Sequence, residues 1–60
     1  MNRMKVLRIV GDLTQYDLAQ KVGVSQSFIS LVESKKVFPG EELKEKIAKA
    51  LGESKEKVFG

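Results

Sequence analysis

Apolar residues fall into short groups along the chain, separated by polar or glycine-containing breaks. The clearest groups lie between residues 15 and 33. Leu18, Ala19 and Val22 stand at i, i+1 and i+4, the inward stripe of a helix with 3.6 residues per turn, and Ile29 and Val32 stand three apart in the segment that follows. Gly23 separates them. It enters the left-handed region without a Cβ penalty, which suits a helix end followed by a sharp change of direction. Val24 can plug the turn from the inside, and Ser25 can cap the next helix. Residues 15–33 therefore predict two short amphipathic helices joined by a tight turn, with the second helix over 25–33.

Earlier in the chain, Met4, Leu7 and then Ile9 or Val10 fit a short core-facing helix from about Arg3 to Val10, with Met1 and Asn2 as a frayed start. A strand is the alternative, because KVLRIV is rich in β-branched residues, but the chain offers no second strand for it to pair with. Gly11 and Asp12 end this element and Leu13 packs back. Thr14 then caps the helix that opens at Gln15, and Asp17, three residues on, approximates a capping box. Residues 34–40, SKKVFPG, form a loop in which Pro39 biases Phe38 away from the helical region. Glu41 and Glu42 open the next helix, where carboxylates favour the positive end of the dipole. Its stripe is Leu43, Ile47, Ala48 and Leu51. Lys44, Lys46 and Lys49 face outward or sideways, and Glu42–Lys46 and Glu45–Lys49 form i,i+4 pairs worth roughly 0.2–0.5 kcal/mol each. Gly52 stops this helix, and Ser54 can cap a last short turn anchored by Val58 and Phe59. The pattern gives an all-α fold of four to five helices in a single domain over residues 1–60.

Composition narrows the chemistry. Sixty residues bury only about 60% of their unfolded surface, so the core is small. The chain has neither cysteine nor histidine. That removes disulfides, zinc fingers, thiolate chemistry, the usual general base and the commonest metal ligand. With no nucleophile–base set, an enzyme is not expected, nor are a metal or a cofactor. No apolar run is long enough for a membrane span, and the start lacks a signal-peptide core, so a cytoplasmic location is the default expectation. Eleven Lys or Arg against eight Asp or Glu leave a formal charge of +3. This is compatible with nucleic acid, but the mixed second half is unlike the one-sided charge of a purely electrostatic coating protein.

Two helices and a tight turn in about twenty residues make the helix-turn-helix pattern, whose second helix is normally the one placed in the DNA major groove. Here the chain resembles the helix-turn-helix family of phage repressors, Cro proteins and xenobiotic-response-element-type transcriptional regulators. The resemblance rests on Leu13-Thr14-Gln15, Leu18-Ala19, Gly23-Val24-Ser25, Ile29, Glu33, Pro39 and Ile47-Ala48-Lys49-Ala50-Leu51-Gly52, and it runs from about Met4 to Phe59. It implies a compact lambda-repressor-like domain with 15–33 as the helix-turn-helix proper. The implied function is sequence-specific double-stranded DNA binding by a transcriptional regulator, a repressor acting as a homodimer on a palindromic operator. The family also pairs a basic residue of the first helix with the acid ending the recognition helix, here Arg8 and Glu33. A buried pair and a solvent-exposed one are both open at this point.

Within that resemblance, Gln26, Ser27, Phe28, Ser30 and Leu31 are the candidate base-contacting residues. Glutamine bonds bidentately to adenine, worth about 1–3 kcal/mol of discrimination. Gln15, Tyr16, Ser34, Lys35 and Lys36 are the candidate phosphate contacts. Arg3, Lys5 and Lys21 have a weaker case. Phe28 and Leu31 stand where the family usually has small or polar residues. Three readings are open for them: thymine-methyl contact, a protein-binding patch, or core packing by a slightly rotated helix. Leu31 is expected to be the more covered of the two. The alternative function is a small protein-interaction module using the Phe28/Leu31 face. Nothing in the chain provides room for a small-molecule-binding domain.

Several positions depart from the family pattern. Lys35 stands where a glycine is usual; a left-handed turn is strained for lysine, so another loop path is expected. Glu41 and Lys44 occupy positions that are normally apolar, which leaves Leu43 to pack with help from Val37 and Phe38. Lys55 replaces an apolar residue at the start of the last helix, so the packing there is expected to be thin. That end contributes to the dimer interface in related phage repressors, so the expected homodimer is weak or DNA-assisted.

Overall fold

The computed structural model describes residues 2–60, which form α1 (Arg3–Val10), α2 (Gln15–Val22), α3 (Gln26–Glu33), α4 (Glu41–Leu51) and α5 (Lys55–Phe59). Helix starts follow the local chemistry. The Thr14 hydroxyl accepts from the Asp17 N–H and the Asp17 carboxylate accepts from the Thr14 N–H, each at 3.0 Å, a complete capping box. These bonds hold the Asp17 carboxyl below the usual carboxylate range. Ser25 and Ser54 cap α3 and α5 in the same manner, accepting from the N–H groups of Phe28 and Lys57. Met1 lies outside the described residues. Asn2 is no frayed end: its side-chain oxygen caps α1 by accepting from the Lys5 N–H, and its amide donates to the Glu33 backbone carbonyl.

The first four helices end on residues in the left-handed region: Asp12 (φ 61°), Gly23 (φ 78°), Lys35 (φ 63°) and Gly52 (φ 73°). At three of these ends a pair of backbone bonds closes the last turn. After α3, for example, Lys36 N–H donates to the Leu31 carbonyl at 2.9 Å and Lys35 N–H to the Val32 carbonyl at 3.1 Å. Glycine is the usual residue there, and aspartate tolerates the conformation, but lysine does not favour it. The alternative loop path at Lys35 is thus not taken. Satisfying two orphan carbonyls of α3 outweighs the strain of one lysine.

Leu18, Ile29 and Ile47 are fully buried at the centre, one each from α2, α3 and α4, with Met4, Ala19, Val22, Val32, Ala48 and Val58 around them. α2 packs on α3 and α4, α4 on α5, and α5 returns to α1. α1 departs from the pattern in one respect. Ile9 is 57% and Val10 77% exposed, because the inward stripe runs Met4–Leu7–Arg8 and turns the last two residues outward.

The polar departures in the second half also come together. Lys55 reaches across from α5 to Glu41 (2.6 Å) and Glu45 (3.6 Å), while Lys44 reaches Glu41 at 3.5 Å and lies 5.8 Å from the centre of the Phe59 ring. The Glu42–Lys46 pair is formed at 4.0 Å, but Glu45 points to Lys55 rather than to Lys49. Charges at 41, 44 and 55 therefore replace the expected apolar contact with an ionic clamp. Val37 is half-buried, but Phe38 is 80% exposed and is not folded under α4; Pro39 is buried in its place and holds the preceding residue extended.

Two outcomes follow. Lys35→Gly should stabilise the fold by about 0.5–1 kcal/mol, since relief of left-handed strain exceeds the added unfolded-state entropy; thermal melting should rise by roughly 2–8 °C, and an unchanged or lower midpoint would contradict the strain. The clamp should show in the pH dependence. Lys55 holds the Glu41 carboxyl below its usual range, and Glu41 holds the Lys55 ammonium above its own. The clamp's contribution is present between the two ordinary values, fades as acid protonates Glu41, and fades again as base passes the raised lysine value. Glu41→Gln should flatten the acid limb of a melting-temperature profile and speed amide exchange in α5. Superimposable acid limbs for the two proteins would refute the clamp.

Candidate nucleic-acid interface

The candidate interface is organised by the end of α3. Glu33 is 6% exposed, and its carboxylate accepts from Arg8 Nε at 2.5 Å, Arg8 Nη2 at 3.3 Å and Gln15 Nε2 at 3.1 Å. Arg8 Nη1 donates in turn to the Leu13 backbone carbonyl at 2.8 Å. One buried ion pair thus links α1, the α1–α2 loop, the first residue of α2 and the last of α3. A buried charge pair is tolerable only when its remaining donors and acceptors are filled. Among the described residues no buried side-chain nitrogen or oxygen lacks a partner.

With its inner face held this way, α3 turns Gln26, Ser27, Ser30 and Leu31 to solvent, with Ser34 one turn further on. Phe28 is not part of this stripe. It precedes Val32 by four residues, shares its face and packs half-buried against the core. Of the three readings open for Phe28, core packing is the one observed. Leu31 is 39% exposed, the reverse of the order expected for the pair, because it sits a quarter-turn away from Val32.

Gln15 and Gln26 line the same surface depression of about 290 Å³, between the α1–α2 loop and the start of α3, with Ile9 and Leu13 beside them. One Gln15 donor hydrogen is committed to Glu33, and the amide retains a second. Tyr16 is exposed on the first turn of α2. Ser34 caps the end of α3 and turns its hydroxyl back onto the Leu31 carbonyl at 3.1 Å. Lys35 and Lys36 are exposed in the following turn, but Lys35 lines a different groove, beside Arg3 and Phe38. The ten candidate contacts therefore divide. Gln15 and Gln26 share a depression, and Ser27, Ser30 and Leu31 are exposed with Gln26 on α3. Tyr16, Ser34 and Lys36 are exposed nearby in sequence, Phe28 is partly covered, and Lys35 lines a separate groove.

Two structural contributors escape the sequence pattern. The Leu13 carbonyl that completes Arg8 has no sequence signature. Asn2 does have one, an N-capping residue just before an apolar-periodic segment, yet its tie to α3 is non-local.

Removing one partner of the Arg8–Glu33 pair should cost about 3–5 kcal/mol by stranding the other charge, comparable to the whole stability of a domain of this size, roughly 3–9 kcal/mol. Arg8→Met or Glu33→Gln alone should approach unfolding in chemical denaturation. Arg8→Met with Glu33→Leu should cost clearly less than the sum of the singles, and additive losses would argue that the pair is solvated.

Two comparisons bear on this geometry. The helix-turn-helix family model matches residues 4–58, nearly the whole chain. An uncharacterized HTH-type transcriptional regulator of Methanocaldococcus jannaschii is 43% identical over 58 residues, covering 97% of this chain and 88% of that protein. The match spans all five helices, including the Arg8 and Glu33 that fix α3. The chain belongs to the Cro/C1-type helix-turn-helix family, a family of DNA-binding transcription regulators.

Proposed function

We propose that this protein is a transcriptional repressor of the cytoplasm that binds double-stranded DNA sequence-specifically, α3 entering the major groove. The observation that carries this reading is the outward stripe of Gln26, Ser27, Ser30 and Leu31 on a helix whose opposite face is locked by the Arg8–Glu33 pair. Gln26 lies in the first turn of α3, where it can bond adenine N6 and N7; the two serines accept or donate at base edges; Leu31 supplies an apolar contact for a thymine methyl group. Gln15 stands next to Gln26 at the start of α2, where its free amide hydrogen and the helix N-terminus suit a phosphate oxygen. Tyr16, Lys36, Ser34 and Lys35 extend the backbone contacts to either side.

The dimensions favour two copies per operator. The protein measures 24 × 23 × 21 Å between Cα atoms, whereas half-sites of such operators lie one helical turn apart, about 34 Å. One copy covers one half-site, so a palindrome calls for a homodimer, formed weakly in solution or assembled on the DNA. An interaction module built on Phe28 and Leu31 is the less favoured reading, because Phe28 is partly covered where it packs against the core.

Selection from a random duplex pool at two salt concentrations tests the reading. A palindrome with A·T pairs should be enriched, and binding should weaken steeply with salt. Gln26→Ala should cost about 1–3 kcal/mol at one adenine position, while Lys36→Ala should weaken all sequences alike. Binding that is flat across sequences, or enrichment that Gln26→Ala leaves untouched, would overturn the proposal.

A further inference from the structure

A second groove, of about 280 Å³, lies away from the Gln15–Gln26 depression, where the start of α1, the α3–α4 loop and α5 meet. Its apolar lining includes Met4, Val32 and Val58, and its cations are Arg3, Lys35 and Lys44. No acidic residue lines it. Lys44 shares Glu41 with Lys55, while among the described residues Arg3 and Lys35 have no ion-pair partner. Phe38 completes one wall. It is the most exposed large apolar side chain among the described residues, held out by the buried Pro39 that follows it.

We propose that this groove docks an acidic segment of a partner protein, one that inserts a bulky apolar side chain between flanking carboxylates. Charge decides the occupant. Apolar floor and cationic rim together match a ligand that is apolar at its centre and anionic at its edges. A second copy of this chain is disfavoured, because a two-fold contact through the groove would set Arg3 and Lys35 of one copy against the same cations of the other. A small molecule inside 280 Å³ would leave the outer face of Phe38 uncovered; a peptide crossing the rim covers it. The site shares only Lys35 with the DNA reading and uses none of Gln15, Gln26, Ser27, Ser30 or Leu31, so the variants that test it, at Phe38 and Arg3, leave that reading untouched.

The test is selection of a random displayed-peptide library on the intact 60-residue protein, followed by titration of the synthesised winning peptide while amide resonances are recorded. Enriched sequences should place Trp, Phe or Leu between Asp or Glu residues. The peptide should shift the amides of Val32, Val37 and Phe59. Binding should fall at least tenfold in Phe38→Ser and severalfold in Arg3→Gln; both side chains are exposed, and an unchanged amide spectrum elsewhere confirms that each variant is folded. Neutral or basic winners, no enrichment, or full binding by Phe38→Ser would overturn the proposal. So would equal affinity for 3-phenylpropionate, which would make the groove a small-carboxylate site, or concentration-dependent dimerisation lost in Phe38→Ser, which would assign it to a second copy.

Discussion

A carboxylate withdrawn from water must have its oxygens filled, and in this protein one carboxylate sets the placement of four segments. Glu33 takes three hydrogen bonds from Arg8 and Gln15, and Arg8 spends its remaining reach on the Leu13 carbonyl. The contacts to Glu33 are all distant in sequence, and only the bond from Arg8 to Leu13 joins near neighbours. Together they hold α1 under α3, close the α1–α2 loop, and seat the first residue of α2 against the last of α3. The apolar core alone, centred on Leu18, Ile29 and Ile47, would allow α3 to roll about its axis; a bidentate arginine–carboxylate pair has a preferred plane and direction. Asn2 adds a second tie on the same helix end, from its amide to the Glu33 carbonyl. Orientation of the outward stripe is therefore an electrostatic matter, while cohesion is a hydrophobic one.

The second half of the protein solves its packing differently. α5 has five residues and one buried side chain, Val58, too little to hold so short a helix. The Lys55 bridge to Glu41 and Glu45 supplies the missing attachment at the surface. These charges lie where water and salt compete for them, so the clamp is a weaker and more adjustable device than the Arg8–Glu33 pair. The two ends of the molecule thus respond differently to ionic strength: salt screens the exposed α5 clamp more than the buried pair.

Most helix boundaries were legible in the sequence because their causes are local. Thr14, Ser25 and Ser54 announce helix starts, and Gly23 and Gly52 announce ends, each through bonds within a few residues. What stayed illegible is what depends on distant partners. Ile9 and Val10 look like core residues until Arg8 takes the inward position, and its reason for doing so lies 25 residues away in Glu33. Lys55 looks like a loss of packing until Glu41 and Glu45 are found opposite it. Lys35 shows the limit of a propensity rule: two backbone bonds closing α3 override the preference of one side chain. At the candidate interface, Gln26 is outward by its place in the first turn of α3, while Ser27 and Ser30 are named from the resemblance, and all three are exposed. Spacing relates Phe28 both to Leu31, three residues on, and to Val32, four residues on, and the side chain packs partly buried on the Val32 side.

The stripe on α3 has a property that bears on how such regulators diversify. Among the described residues, no side-chain hydrogen bond involves Gln26, Ser27 or Ser30, and none of the four stripe residues, Leu31 included, is buried. The three polar side chains make no bond that holds the fold and Leu31 is only partly covered, while Glu33, Ile29 and Val32 on the same helix carry that task. On the proposed reading, selection can rewrite these positions as a cassette, giving duplicated copies new target sequences with little disturbance of the scaffold beneath. The buried pair, by keeping the helix in one pose, would then make each such exchange a change at the exposed surface rather than in the packing.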